Sequence, residues 1–222
     1  MKPFSTTDSQ QPIADSFYPI ADSGKRQVID SFLDYVENMV HRTSSRLTKL
    51  VMQRLIYDQR GKTENYSDLE NELEMSLYTQ EMNSKNYEDE CQVFFDVILS
   101  NFNAHLQKAG APAAASVAQT CTELIASDPK TVESMRVKLG EAWFVAGKEV
   151  CVADLAMFNE IENVCQVMDL MQGGQDYRAI IQVKYPQVGA WMEHVANLVE
   201  VKACTDKFQQ VYVRMLREVK KA

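Results

Sequence analysis

The sequence predicts an all-α protein, on three observations. Apolar residues recur at steps of three and four in several independent segments. Glycine, proline and short polar caps punctuate those segments, and no stretch alternates apolar with polar residues over the length of a strand. The chain has 222 residues, 45% hydrophobic and 24% charged, the make-up of a globular protein able to bury a sizeable core.

Residues 1–23 read as an extended arm. The pentapeptide Pro-Ile-Ala-Asp-Ser stands at Pro12–Ser16 and again at Pro19–Ser23, too few copies for a solenoid, and each proline disfavours helix at the residue before it. Residues 24–222 form the helical domain, opened by Asp22 or Ser23 as cap. Val28, Ile29, Phe32, Leu33, Val36, Met39, Val40, Leu47, Leu50, Val51 and Leu55 predict one long amphipathic helix from Lys25 to about Gln59, bent near Thr43, Ser44 and Ser45. An acidic insertion follows at about 61–90.

Val93, Phe94, Val97, Ile98, Phe102 and Leu106 predict a second helix, closed by Gly110. The small residues Ala111 to Ser116 open another through Ile125. Asp128-Pro129 breaks it and starts the next, from Lys130 to Leu139. A turn at Gly147 precedes a buried helix from Val152 to Met171, stopped by Gly173 and Gly174. Tyr185-Pro186 starts a helix through Leu198, and the last runs from about Val201 to the C-terminus.

Charge and cysteine usage bound the function. A formal net charge of −8 argues against a nucleic-acid binder, which needs a basic face to displace counterions, and against an anionic membrane surface. No window reaches the run of about 18 apolar residues that a membrane span needs, so no direct membrane insertion is expected. The first residues lack the apolar core of a signal peptide and the arginines of a transit peptide. Cys91, Cys121, Cys151, Cys165 and Cys204 are odd in number and never form Cys-x-x-Cys. Reduced thiols in an intracellular, cytosolic protein are expected, with an organellar assembly such as a mitochondrial complex as the alternative.

The motifs of catalysis are missing. Gly140 and Gly147-Lys148 are spaced wrongly for a phosphate loop, and neither Gly-x-Gly-x-x-Gly nor Gly-x-Ser-x-Gly occurs. His41, His105 and His194 fall on three different helices, and only His41 has a carboxylate one turn away, Glu37. Such pairs fall short of a zinc site. No cofactor and no metal are expected. Cys151 has two readings. A thiol at a helix N-terminus gains nucleophilicity from the macrodipole. Alternatively Cys151 is the N-cap of a capping box with Asp154 at N3, with Val150 and Leu155 as a hydrophobic staple.

Trp143-Phe144-Val145-Ala146-Gly147-Lys148-Glu149-Val150-Cys151-Val152-Ala153-Asp154-Leu155 resembles a segment of the glutathione transferases, in which a glycine turn precedes a Ser/Thr-x-x-Asp capping box and a buried helix. Tyr185-Pro186-Gln187-Val188-Gly189-Ala190-Trp191, followed by Val201-Lys202, is similar to that family's Tyr-Pro-x-Leu-x-x-Trp helix and its sequel. Tyr18-Pro19 with Asp22, Arg26, Val28 and Phe32-Leu33 resembles the linker and first helix of the same C-terminal domain, most like theta-type members. Cys151 departs from the hydroxyl cap and Val188 from the leucine. The resemblance implies a glutathione transferase C-terminal-like helical bundle with a long first helix. It also implies that the thioredoxin-like domain carrying the glutathione site and the activating residue is absent, because residues 1–23 are too few for even one βαβ unit. No catalytic residue of the family carries over, and no enzyme activity is expected.

The resulting expectation is a non-catalytic interaction module, a structural or accessory subunit of a larger assembly whose partners are other protein subunits; a homodimer is left open. The face of the first helix that would meet the missing domain is rich in Phe, Met and Val, and exposed apolar area of that kind marks a partner surface. The insertions at Gly61–Glu90 and Ala111–Ser127 are the alternative cover for that face. The other reading is a glutathione transferase-related protein that binds hydrophobic electrophiles or supplies the helical half of a two-chain enzyme. Nine acidic residues and one lysine lie between Glu64 and Glu90, which accounts for the whole formal charge of the chain. Glu70, Glu72, Glu74, Glu88, Asp89 and Glu90 are the candidate contacts to a basic partner surface, a solvated acidic face being the alternative.

Overall fold

The computed structural model describes residues 17–19, 21–51, 84–112, 117–136, 141–171, 176–199 and 201–203. Most of these are helical, and among them the only sheet-like pairing is a bridge between Phe144 and Gly147.

Helix α1, Ser23–Tyr35, begins where Asp22 accepts a hydrogen bond from the Lys25 backbone N–H at 3.0 Å. Ahead of it Tyr18 donates to Asp30 at 2.6 Å, laying the end of the arm back on the helix. A π-helical turn, Val36–Val40, joins α1 to α2, residues 41–51. A departure from α-helix thus lies just before His41. Thr43 donates its hydroxyl back to the Met39 carbonyl, and the one Ser44 hydroxyl proton is shared between the His41 carbonyl and Glu160 of the later helix. The predicted stretch to Gln59 lies beyond Val51 and outside the described residues.

Helix α3, Ser84–Gln92, a second π turn, Val93–Ile98, and α4, Leu99–Lys108, form one helical run that Gly110 ends with φ +118°. The last residues of the acidic insertion thus belong to a helix. Two expected helices are described over shorter spans than predicted. Among the described residues, the segment through Ile125 is helical as α5, Cys121–Ile125, where Thr120 and Glu123 close a capping box. Asp96, from the second π turn, fixes that start by accepting from the N–H of Cys121 at 2.6 Å and the hydroxyl of Thr122 at 2.6 Å. Helix α6, Pro129–Ser134, is capped by Asp128 and ends in tight bonds from Met135 to Val132 and from Arg136 to Glu133. Its predicted end at Leu139 lies outside the described residues.

Helix α7, Val152–Met171, matches its predicted bounds. Helix α8, Tyr177–Lys184, was not predicted: Asp176 caps it, and Tyr177, Ala179, Ile180, Ile181, Gln182 and Val183 are all buried, in a helix of only eight residues, too short for an apolar period to repeat. Helix α9, Pro186–Ala196, follows after Tyr185, with proline at its first position. The last predicted helix is described only at 201–203.

The long helix α7 is the axis of the bundle. It packs on α1 and the first π turn along one flank and on α8 and α9 along another, while α9 also packs on α4. Trp191 fills the junction: its ring lies edge-on to Phe102 at 4.7 Å and to Phe158 at 6.1 Å. Beside it Phe95 stacks on Tyr177 at 5.9 Å. No helix among the described residues is long and apolar enough to cross a membrane.

Candidate functional site

Gly147 has φ +120°, a conformation that favours glycine. It lets residues 144–147 close on themselves, with Phe144 N–H to Gly147 O at 2.8 Å and the reverse bond at 3.1 Å. That turn aims the N–H of Val145 at the start of α7, where it donates to Asp154 Oδ1 at 3.0 Å. Trp191 Nε1 donates to the same oxygen at 2.8 Å. Asp154 Oδ2 accepts from the backbone N–H of Cys151 at 2.8 Å and from its thiol at 3.0 Å. One fully buried carboxylate therefore joins the turn, the N-terminus of α7 and the middle of α9. From α4, His105 Nε2 reaches the Val145 carbonyl at 2.9 Å and holds the turn from its other side.

This geometry decides between the two readings of Cys151. The return half of the capping box, Asp154 to the Cys151 N–H, is present, but the thiol donates to Asp154 instead of accepting a backbone N–H. Burial and the Asp154 charge push the thiol up to about 12. Buried and bonded to Asp154, Cys151 fits the structural reading, and its raised thiol pKa disfavours the thiolate a nucleophile needs. Val150 and Leu155 are half-buried against the core. Burial also pushes the Asp154 carboxyl up, while its hydrogen bonds to Cys151, Val145 and Trp191 pull it back. Tyr185 is buried and Pro186 opens α9, so the Tyr-Pro-to-Trp segment delivers Trp191 to Asp154. Among the described residues, Cys91, Cys121, Cys151 and Cys165 are free and buried, and burial raises the thiols of Cys91, Cys121 and Cys165 too.

The histidines separate. His194 lies edge-on to the Phe144 ring. His41 faces Glu160 of α7, with Nδ1 2.9 Å from Oε1, and not Glu37 as helical spacing suggests. The Glu160 hydrogen bond and charge raise the His41 pKa above the ordinary 6.5. A histidine raised by folding stabilises fully below its unfolded pKa and loses that contribution as pH rises through its folded pKa. The urea midpoint of the wild type is therefore expected to fall as pH rises above about 6.5, and His41→Gln is expected to flatten that step. Among the described residues, no group of three His, Cys, Asp or Glu side chains is arranged to hold a metal ion.

An open groove of about 440 Å³ runs along α1, lined by Gln27, Val28, Ser31, Phe32, Tyr35 and His105. Val28 is 40% exposed on its wall, and Phe32, in contact with the His105 ring at 4.7 Å, forms its floor. The groove sits on the face of the first helix singled out by its apolar stripe. Helix α5 packs instead on α8 and the second π turn. Of the acidic candidates, Glu70, Glu72 and Glu74 lie outside the described residues. Glu88 and Asp89 are exposed on α3. Glu90 is half-buried and pairs with Arg46 of α2 at 2.9 Å, so its charge is satisfied within the chain.

No family model, curated protein or solved structure matches the chain.

Proposed function

We propose that this chain is a helical interaction module of the glutathione transferase C-terminal type, non-catalytic in that family's chemistry, which serves as a structural or accessory subunit and docks another protein through the α1 groove. The open apolar groove along α1 carries this reading. The Phe144–Gly147 turn, the Cys151–Asp154 cap and the reach of Trp191 to Asp154 account for the residues that resemble the family by an architectural role. The acidic residues near Glu70–Glu74 and the exposed Glu88 and Asp89 supply charge for steering a basic partner. The proposed setting is intracellular.

Affinity purification from the source cell with quantitative mass spectrometry tests this. A defined set of proteins is expected with the wild type, lost with Val28→Asp, weakened when Glu70, Glu72 and Glu74 are changed to Gln, and kept with Val199→Asp, a substitution at an exposed valine outside the groove. Identical sets from wild type and Val28→Asp would refute docking at the groove.

A second reading rests on the size of the groove, which falls within the range of about 300–1,000 Å³ typical of small-molecule sites. On it, a hydrophobic electrophile occupies the groove in a glutathione transferase-related protein. Glutathione-dependent conjugation of an aryl halide, or glutathione binding by calorimetry, would establish that alternative.

A further inference from the structure

Ser45, His41 and Glu160 are joined atom by atom in the order of a nucleophilic relay. Ser45 Oγ lies 3.4 Å from His41 Nε2, and His41 Nδ1 lies 2.9 Å from Glu160 Oε1. The fully buried Ser44 donates its hydroxyl to Glu160 Oε2 and so holds the carboxylate from behind. The assignment of the two ring nitrogens is what matters chemically. A carboxylate at Nδ1 keeps the proton on that nitrogen and leaves the Nε2 lone pair for the serine hydroxyl.

The surroundings divide the roles. The Glu160 side chain is 12% exposed and that of His41 51%, so the acid is shielded while the base and Ser45 are open to solvent. Helical spacing brings Ser45 beside His41, and the packing of α7 on the first helical run brings Glu160 to the ring. Arg42 and Lys49 stand one helical turn to either side of Ser45.

We propose that Ser45 is an activated nucleophile that takes an acyl group from small activated esters, with His41 as general base and Glu160 as the residue that orients it. Ser45 Oγ attacks the acyl carbon while its proton passes to His41 Nε2. The tetrahedral adduct collapses by breaking the bond to the leaving alcohol oxygen, which receives that proton. Water, deprotonated in turn by His41, releases the acid and restores the serine. No oxidant or reductant enters. The site shares no residue with the α1 groove and stands independently of docking there.

The test uses the full chain with p-nitrophenyl acetate and a fluorophosphonate probe, read by intact mass and peptide mapping. One adduct is expected, on Ser45. It should be abolished by Ser45→Ala, which favours helix at an exposed position, and kept by Ser134→Ala. His41→Gln and Glu160→Gln are expected to slow labelling, by roughly 100-fold for loss of the base, with helicity by circular dichroism unchanged. Labelling should rise with pH as the His41 imidazole deprotonates, above the ordinary histidine range. No adduct, adducts spread over several serines, or wild-type labelling of folded His41→Gln would overturn the proposal.

Discussion

Asp154→Ala is expected to lower the unfolding free energy by about 4 kcal/mol, among the largest single-residue losses in the molecule. The substitution leaves the N–H groups of Val145 and Cys151 and the indole N–H of Trp191 buried without their acceptor. Each such orphan costs about 1–3 kcal/mol. Relief of the buried carboxylate, whose pKa burial raises, offsets part of the sum. Asp154→Asn should also destabilise, because an amide offers one acceptor oxygen where the carboxylate offers two. Urea denaturation checks both; a loss within experimental error for Asp154→Ala would show that the four bonds are not made in solution.

Trp191→Ala is expected to cost about 3–5 kcal/mol, the range for removing a large buried aromatic side chain. The indole is fully buried and contacts Phe102 and Phe158. Trp191→Phe separates packing from polarity, since it retains a ring but no donor to Asp154. Its cost should be smaller, about 1.5–3 kcal/mol for a hydrogen bond to a charged group. A double-mutant cycle of Trp191→Phe with Asp154→Ala should show coupling of about 1–2 kcal/mol. Additive losses would mean that the two side chains act separately.

Local patterns explain which parts of this architecture can be read in the sequence. Val152–Met171 stands out because a glycine turn, a carboxylate at N3 and a long apolar run all mark the same segment. Tyr177–Lys184 spans only eight residues, too short a window for an apolar period to repeat, although Asp176 is a cap signal. The π turns at Val36–Val40 and Val93–Ile98 have no composition that sets them apart from α-helix. Thr120 and Glu123 do spell a capping box, a signal that the run of small residues from Ala111 obscures.

The candidate sites divide along the same line. The bond from Asp154 to Cys151 spans three residues and is legible as a capping box. The bonds to Trp191, 37 residues away, and from His41 to Glu160, 119 residues away, come from helix packing. Helical spacing alone offers His41 the wrong carboxylate, Glu37. The apolar stripe on α1 is legible too. Which part of it stays uncovered depends on where α4 and α7 lie, and the groove opens at Val28 and Phe32 for that reason.

Docking through the α1 groove is tested most directly by placing a photo-reactive amino acid at position 28 of the full chain in its source cell and irradiating. The expected result is one discrete heterologous cross-link, to a protein that Val28→Asp loses in affinity purification, with none from the same group at position 199. Cross-links only within the chain, or the same products from both positions, would contradict docking through this groove.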